Sequence, residues 1–221
     1  MRLLLIRHGQ TPANVLGQLD TSRPGPGLTP LGERQAALVP RGVRTRHITA
    51  IYASTLLRTQ LTAEPLATDR GLDIQVLDGL QEIEAGALEK RSDRASVQRY
   101  LETVFAWGSG DVGVRMPGGT DGNAFFDRFD NAIASAAEMG SGTAAFFSHG
   151  AAIRVWAAAR AHNVPSAFAG THELDNTGVV ELSGSPEDGW TLLSWAGQPV
   201  GGAQLVDQQA DDPTGEPLDE A

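Results

Sequence analysis

The stretch RLLLIRHG, residues 2–9, decides the fold of this chain. Four consecutive aliphatic residues at 3–6 predict a strand that is buried on both faces, as in a parallel sheet covered by helices. The strand ends abruptly in Arg7, His8 and Gly9, which places polar groups at the carboxyl end of an apolar element. Open parallel sheets bind ligands at that end of their strands. The stretch therefore predicts both a sheet and the edge at which its site lies.

The rest of the chain alternates strand-like and helix-like patterns. Further buried-strand patterns occur at 48–54, 73–77 and 143–148, and the segments GVVELSG and GWTLLSW predict a closing hairpin. Helical patterns separate the strands, and those within 90–140 are expected to lie across one edge of the sheet. Such alternation is typical of a three-layer α/β/α fold with a mostly parallel central sheet. We predict one such domain over residues 1–197.

The composition restricts the partners and the compartment. With a formal net charge of -10, the chain lacks the concentrated basic face that a nucleic acid or an anionic membrane requires. The absence of cysteine excludes disulfides and thiolate metal sites. Met1 leads directly into the first strand pattern, and no apolar run has membrane-spanning length, so neither export nor membrane insertion is indicated. A cytoplasmic protein is expected, and a homodimer is compatible with this composition.

The last segment, 198–221, differs in composition from the rest of the chain. It reads QPVGGAQLVDQQADDPTGEPLDEA, with acids, scattered glycine and proline, and neither lysine nor arginine. Such a composition is typical of a solvated acidic tail. If the tail is solvated, its removal after about residue 200 should leave catalysis intact.

Cationic and imidazole side chains follow three of the predicted strands. Arg7 and His8 follow the first strand, Arg58 follows the second, and His149 and Gly150 follow the strand at 143–148. Each group precedes a helical pattern, whose N-terminus adds backbone N–H donors. Two guanidinium groups and two imidazoles suit a phosphoryl group, because the planar forks hold its oxygens while one imidazole approaches phosphorus. No carboxylate-rich metal cage is evident, so we expect no metal.

These residues resemble the histidine phosphatase superfamily, also called phosphoglycerate-mutase-like. The motifs that carry the resemblance lie within residues 2–182 and are, in order, LLLIRHGQTPAN, LTPLGERQA, YASTLLRTQLTA, LQEIEAGALE, MPGGT and FFSHGAAIRV. The resemblance implies that His8 is the nucleophile and becomes phosphohistidine. It also implies that Arg7, Arg58 and His149 form the phosphate clamp.

The acid and the rest of the pocket follow less directly from the motifs. The resemblance places the general acid at Glu82, but the segment QEIEAG also offers Glu84. Asn14 matches a polar residue that lines the pocket, although it could instead cap the following turn. Thr21, in the proline- and glycine-rich loop LDTSRPGPGLT, is expected to reach the phosphate. The predicted substrate-binding residues are Arg7, Asn14, Thr21, Arg58, His149 and Gly150.

The resemblance implies a metal-independent, cofactor-independent phosphomonoesterase that acts through phosphohistidine on a small phosphorylated metabolite. Two alternatives are a cofactor-dependent phosphoglycerate mutase and a non-catalytic phospho-ligand binding protein on the same fold. Mutases of the family carry an E-R-H-Y-G acid motif and an arginine pair in the inserted segment. Here the acid motif reads QEIEAG, and Arg99, Arg115 and Arg128 stand apart. The phosphatase is therefore favoured, and its substrate is left open.

Overall fold

The fold is described from a computed structural model, which describes residues 1–140, 142–165 and 167–216. The strands are β1 (Arg2–Arg7), β2 (Ile48–Ala53), β3 (Ile74–Val76), β4 (Thr143–Ser148), β5 (Val179–Ser185) and β6 (Gly189–Ala196). The α-helices are α1 (Pro12–Val15), α2 (Pro30–Gly42), α3 (Leu57–Arg70), α4 (Arg94–Gly108), α5 (Gly122–Glu138), α6 (Gly150–Arg160) and α7 (Phe168–Thr171). None of the helices in these three ranges is long and apolar enough to cross a membrane.

The strands form a single mixed sheet in the order β3-β2-β4-β1-β5-β6. The first four strands of the chain run parallel, while β5 pairs antiparallel with β1 and forms the closing hairpin with β6. The predicted strand bounds differ from the observed ones by at most one residue, and the mostly parallel sheet is confirmed. In the register of the central pair, Arg7 lies opposite Ser148. The residues that follow, His8 and His149, therefore leave the sheet side by side.

Helices cover both faces of the sheet. Successive side chains of β1 point to opposite faces, so they alternate between two cores. Leu3 and Leu5 pack in a core shared with α4, α5 and α6, whereas Leu4 and Ile6 pack with α2 and α3 on the other face. The predicted three layers are therefore confirmed. The segment 90–140 was expected across an edge of the sheet, but α4 and α5 pack on one face of it. Their apolar stripes bury against the sheet and α6.

The C-terminal segment packs against the domain, which differs from the solvated tail expected for 198–221. Leu205 is buried, and its carbonyl accepts a hydrogen bond from Gln35 Nε2 at 2.9 Å. Further along, the carbonyl of Thr214 accepts from Nη1 of the buried Arg154 at 3.0 Å. Buried polar side chains of the domain thus donate hydrogen bonds to backbone carbonyls of this segment. These bonds hold the segment against the domain despite its acidic composition. The last five residues of the predicted tail, 217–221, lie outside the described residues.

Candidate active site

His8 lies immediately after β1, with its side chain buried and only 3% exposed. Its backbone N–H donates to the carbonyl of Ser148 at 3.0 Å, which holds the residue against the end of β4. Its Nδ1 lies 2.8 Å from the carbonyl of Gly9. Because a carbonyl oxygen only accepts hydrogen bonds, Nδ1 carries the proton. The lone pair of the neutral ring is therefore on Nε2.

The surroundings of His8 keep this imidazole neutral. Burial, and then the positive charges of Arg58 and Arg7, hold the pKa of His8 well below its usual value of 6.5, although the bond to Gly9 opposes this shift. The sequence-based expectation of a neutral imidazole is consistent with this direction. A neutral imidazole with a free Nε2 is a competent nucleophile at physiological pH.

The second histidine is joined to the second arginine. Nε of Arg58 donates to Nδ1 of His149 at 3.2 Å, so Nδ1 carries no proton. Nε2 of the neutral ring is then protonated and donates to Oγ of Ser54 at 2.8 Å. Burial, followed by the charge of Arg58, holds the pKa of His149 well below 6.5. The ring centroids of His8 and His149 are 5.2 Å apart, so the structure brings the two histidines together.

Two buried guanidinium groups have N–H donors to offer to an anion. Arg7 is fully buried and Arg58 is 3% exposed. In the described part of the chain, Arg7 Nε and Arg58 Nη1 are buried without a hydrogen-bond partner. Arg7 Nε faces the start of α6, where a Cβ on Gly150 would lie 3.0 Å from it. Buried donors of this kind are costly unless an acceptor binds them, and a phosphoryl oxygen is such an acceptor.

Glu82 lies at the N-terminus of α6, next to this cluster. Its Oε1 accepts from the backbone N–H of Ala152 at 2.8 Å, and its Oε2 accepts from that of Ala151 at 3.2 Å. Burial raises the pKa of Glu82, while these N–H groups and the charge of Arg58 act in the opposite direction. The net rise means that the carboxyl holds its proton to a higher pH than an exposed glutamate does.

Glu84, the alternative acid, is placed differently. Its side chain is exposed, and Oε1 accepts from the backbone N–H of Thr120 at 2.7 Å. This contact joins Glu84 to the turn before α5. The structure thus brings Glu82, and not Glu84, to the N-terminus of α6 beside His149.

Two residues from the 90–140 segment hold the Glu82 loop, and sequence reasoning did not identify either role. Arg128 donates to the carbonyls of Gln81 and Glu82, each at 2.8 Å. Tyr100 donates its hydroxyl to the carbonyl of Ile83 at 2.9 Å. Since all of these acceptors are backbone atoms, no pattern of residue types in the sequence indicates the pairing.

Asn14 caps the turn at the start of α1, which is one of the two roles left open by the sequence, and its place in the pocket stays a prediction. Its Oδ1 accepts from the backbone N–H of Thr11 at 2.9 Å and closes a capping box at the start of α1. Its Nδ2 donates to Oδ1 of Asp212 at 3.0 Å. The same carboxylate oxygen accepts from Arg7 Nη2 at 2.7 Å, so Asn14 and Arg7 are neighbours in the site.

Thr21 is occupied elsewhere, contrary to the expectation that it reaches the phosphate. Its hydroxyl donates to Glu89 Oε2 at 2.5 Å and accepts from the backbone N–H of Ala85 at 3.0 Å. These contacts tie the 20s loop to the segment that follows Glu82. The neighbouring Asp20 instead supplies the contact to the cluster, since its carbonyl accepts from Arg58 Nη2 at 3.0 Å.

Sequence reasoning also missed partners that come from distant parts of the chain. Asp212 pairs with Arg7, and Asn176 donates its Nδ2 to the carbonyl of His8 at 3.1 Å. The sequence around Asn176 or Asp212 does not indicate that either residue contacts the site. The first is a single asparagine in a loop, and the second lies in a stretch with the composition of a tail. Within the three described ranges, no group of three His, Cys, Asp or Glu side chains is arranged to hold a metal ion.

The comparison with protein families agrees with this geometry. Residues 3–198 match the histidine phosphatase superfamily, branch 1. The chain therefore belongs to the histidine phosphatase superfamily, as the resemblance of its motifs predicts.

The chain is also similar to individual proteins, among them the following three. It is 40% identical over 216 residues to "PE-PGRS family protein PE_PGRS11" of Mycobacterium tuberculosis, covering 90% of this chain and 37% of the relative. It is 34% identical over 158 residues to "Probable phosphoglycerate mutase GpmB" of Salmonella choleraesuis, covering 69% of this chain and 71% of the relative. The native structure of mycobacterial glucosyl-3-phosphoglycerate phosphatase has a TM-score of 0.73 at 24% identity, covering 89% of this chain and 99% of that one. The chain thus spans little more than a third of the first relative.

Proposed function

We propose that the protein is a metal-independent phosphomonoesterase that acts on small phosphorylated metabolites through a phosphohistidine at His8. The observation that carries the proposal is the neutral His8, with its lone pair on Nε2, next to two buried arginines that have unpaired N–H donors. A nucleophile, fixed positive charge and a protonated acid are what transfer of a phosphoryl group to a side chain requires.

In the first step, Nε2 of His8 attacks phosphorus, and the bond from phosphorus to the ester oxygen breaks. Arg7 and Arg58 stabilise the charge that spreads over the phosphoryl oxygens in the transition state, because they are held in place before the reaction begins. Glu82 gives its proton to the departing alkoxide, so the alcohol leaves neutral and Glu82 becomes a carboxylate.

In the second step, water attacks the phosphohistidine. The Glu82 carboxylate takes a proton from that water, the bond from phosphorus to Nε2 breaks, and inorganic phosphate leaves. His8 returns to the neutral tautomer that its bond to Gly9 favours. After the two steps, His8 and Glu82 have returned to their starting protonation states, and no step uses a cofactor.

A phosphoglycerate mutase is the second candidate, since one relative carries the name "Probable phosphoglycerate mutase GpmB". A mutase needs further cations for the second anionic group of its intermediate. Arg128 instead donates to backbone carbonyls around Glu82, and the exposed Arg115 donates to the carbonyl of Gly119 at 3.2 Å. These two arginines are engaged separately, which favours the phosphatase.

The proposal is tested by incubating the protein with a panel of phosphomonoesters and measuring release of inorganic phosphate. Mutase activity with phosphoglycerate and its bisphosphate is assayed in parallel. Phosphate release that exceeds mutase turnover supports the phosphatase, and the reverse result assigns the mutase. Binding of phosphate with turnover in neither assay would identify a non-catalytic phospho-ligand binding protein.

We predict that inorganic phosphate and vanadate inhibit competitively and that EDTA has no effect on the rate. The anions bind to the same arginine donors as the substrate, and the proposed mechanism assigns no step to a metal. The measurement is a series of initial rates at varied substrate and inhibitor concentrations, with and without EDTA. Loss of activity in EDTA that added Mg²⁺ or Zn²⁺ restores would contradict the metal-independent mechanism.

We also predict that Glu82→Gln slows the hydrolysis of alkyl phosphates by about 100-fold or more, in line with the contribution of general acids. Glutamine keeps the size of the side chain but has no proton to donate. Aryl phosphates should lose much less, because their leaving groups depart as stable anions. Glu84→Gln is the matched control, and a larger loss in that variant would move the acid to Glu84.

The pH dependence of the same variants follows from the direction of the pKa shifts. Glu82 must be protonated to act, and its raised pKa extends that form to higher pH. The alkyl phosphatase rate should therefore fall as pH rises through this pKa. His8 must be neutral, and its lowered pKa keeps it neutral well below pH 6.5. We expect Glu82→Gln to abolish the alkaline fall, and its persistence would contradict the assignment.

A further inference from the structure

The C-terminal segment 207–216 forms part of the wall around the proposed phosphate site. Gln10 Nε2 donates to Asp207 Oδ2 at 2.9 Å, near the start of the segment. Near its end, the backbone N–H of Leu174 donates to the carbonyl of Gly215 at 2.8 Å. Pro213 and Gly215 are buried. The segment is thus held near both ends, and between them Asp212 and Thr214 contact Arg7.

Within this segment, Asp212 contacts two residues of the proposed phosphate site at once. Its Oδ1 accepts from Arg7 Nη2 at 2.7 Å and from Asn14 Nδ2 at 3.0 Å. The Asp212 side chain is 13% exposed and that of Arg7 is fully buried, so the ion pair is largely shielded from water. Without Asp212, Arg7 would lose the carboxylate with which it forms this ion pair, and the cost of an uncompensated buried charge is large.

The hydrogen bonds of Arg7 show which edge of its guanidinium group is held and which is free. Nη1 donates to the carbonyl of Leu174 at 2.7 Å, and Nη2 donates to Asp212 and, at 2.9 Å, to Oγ1 of Thr214. Nε has no acceptor among the described residues and faces Gly150. The C-terminal segment therefore holds the far end of the planar group, which fixes the direction of the remaining N–H.

We propose that Asp212 is a positioning residue for phosphoryl transfer, which orients Arg7 so that Nε points to the phosphoryl group and holds Asn14 beside it. This inference rests on the proposed function. Asp212 lies beyond residues 3–198, the part of the chain that matches the superfamily, so the device belongs to the C-terminal segment of this chain. On this proposal, the segment that was predicted from its composition to be a solvated tail supports catalysis by positioning Arg7.

The test compares Asp212→Ala with Asp211→Ala, a matched control in which the neighbouring, exposed aspartate is removed. We expect Asp212→Ala to lower kcat/KM by about 100-fold, the loss that follows a misplacement of about 1 Å. The loss should appear in kcat as well as in KM, since Arg7 binds the phosphoryl group in the ground state and stabilises it further in the transition state. Asp211→Ala should stay within about twofold of wild type, as surface changes usually do.

Two further measurements separate positioning from a purely structural role. Formate, added to Asp212→Ala, should recover part of kcat by replacing the missing carboxylate, and should not affect Asp211→Ala. Asp212→Asn keeps an acceptor oxygen and should lose less than Asp212→Ala. If Asp212→Ala does not fold, as judged by circular dichroism, Asp212→Asn decides: its neutral amide holds Arg7 less firmly than a carboxylate, so kcat should still fall, and wild-type kcat in that variant would overturn the proposal.

Titration of wild type and the Asp212 variants with inorganic phosphate by calorimetry distinguishes this proposal from the proposed function. Weaker phosphate binding in Asp212→Ala supports positioning even if no phosphomonoester is turned over. Equal binding and equal rates in the Asp212 and Asp211 variants would overturn it. Tighter binding in Asp212→Ala would also overturn it, because the carboxylate would then be a competitor for the anion site.

Discussion

Replacing His8 by alanine should abolish measurable phosphatase turnover, with a loss of about four orders of magnitude or more in kcat. Loss of the nucleophile removes the covalent route entirely, and such losses in other enzymes reach this size. We expect this loss because Nε2 of His8 carries the lone pair that attacks phosphorus. The carbonyl of Gly9 keeps the proton of the ring on Nδ1. The measurement is phosphate release from the best substrate of the panel.

His162→Ala is the control for this experiment. His162 lies after α6, and its Nε2 is 3.1 Å from the hydroxyl of Thr191, which places it beside β6 at the edge of the sheet. Its loss should leave kcat within about twofold of wild type. Circular dichroism and thermal unfolding of both variants exclude misfolding as the cause. Retention of more than a tenth of wild-type kcat in His8→Ala would contradict the nucleophile assignment.

Replacing Arg58 by alanine should lower kcat/KM by about 1000-fold, equivalent to about 4 kcal/mol of transition-state stabilisation. Arg58 is buried, and burial lowers its pKa to about 10, so it remains charged at neutral pH. Its Nε holds His149 and its Nη2 holds the carbonyl of Asp20, which leaves Nη1 for an anion. A single substitution therefore removes both a donor and the support of the second histidine.

The control for Arg58 is Arg70→Ala, at the other end of the same helix. Arg70 is the last residue of α3, where it donates to the carbonyl of Val43 at 3.3 Å and pairs with Asp69. Its removal tests whether any loss of charge on α3 affects catalysis. An unchanged kcat/KM in Arg58→Ala would assign that arginine a structural role and would leave phosphate binding to Arg7.

The central part of the fold could be predicted because its signals are local. A run of buried residues in β1 or β4 that ends in arginine or histidine shows both the strand and its functional end. The closing hairpin is equally local, since its two patterns lie side by side in the chain. The helices of the segment 90–140 were predicted, but their expected place at an edge of the sheet was wrong, because the face that a helix covers depends on packing with distant residues such as Trp156.

The choice between Glu82 and Glu84 shows where local patterns end. The two acids lie two positions apart in the same short segment, QEIEAG. What separates them is the N-terminus of α6, about 70 residues later in the chain, whose N–H groups meet only Glu82. Glu84 points to the turn at Thr120 instead. Tertiary packing, and not residue type, sets the environment of each carboxyl.

The packing of the C-terminal segment against the domain could not be predicted from composition at all. Asp212 and Arg7 are separated by 205 positions, and each is typical of its own surroundings: an arginine after a strand and an acid in a polar stretch. The pairing arises because a buried guanidinium group needs more acceptors than β1 supplies. Removal of the segment, which the composition predicted to be harmless, is expected on the structure to be damaging.

The measurement that tests the central claim most directly is the trapping of the covalent intermediate. A reaction with phosphate-labelled substrate, quenched in base, should leave label on the protein that is stable in base and lost in acid, as expected of phosphohistidine. Peptide mapping should place the label on His8, and His8→Ala should carry none. Label that passes only to water supports the phosphatase. The account is contradicted if wild type and His8→Ala turn over alike and no label forms at any quench time.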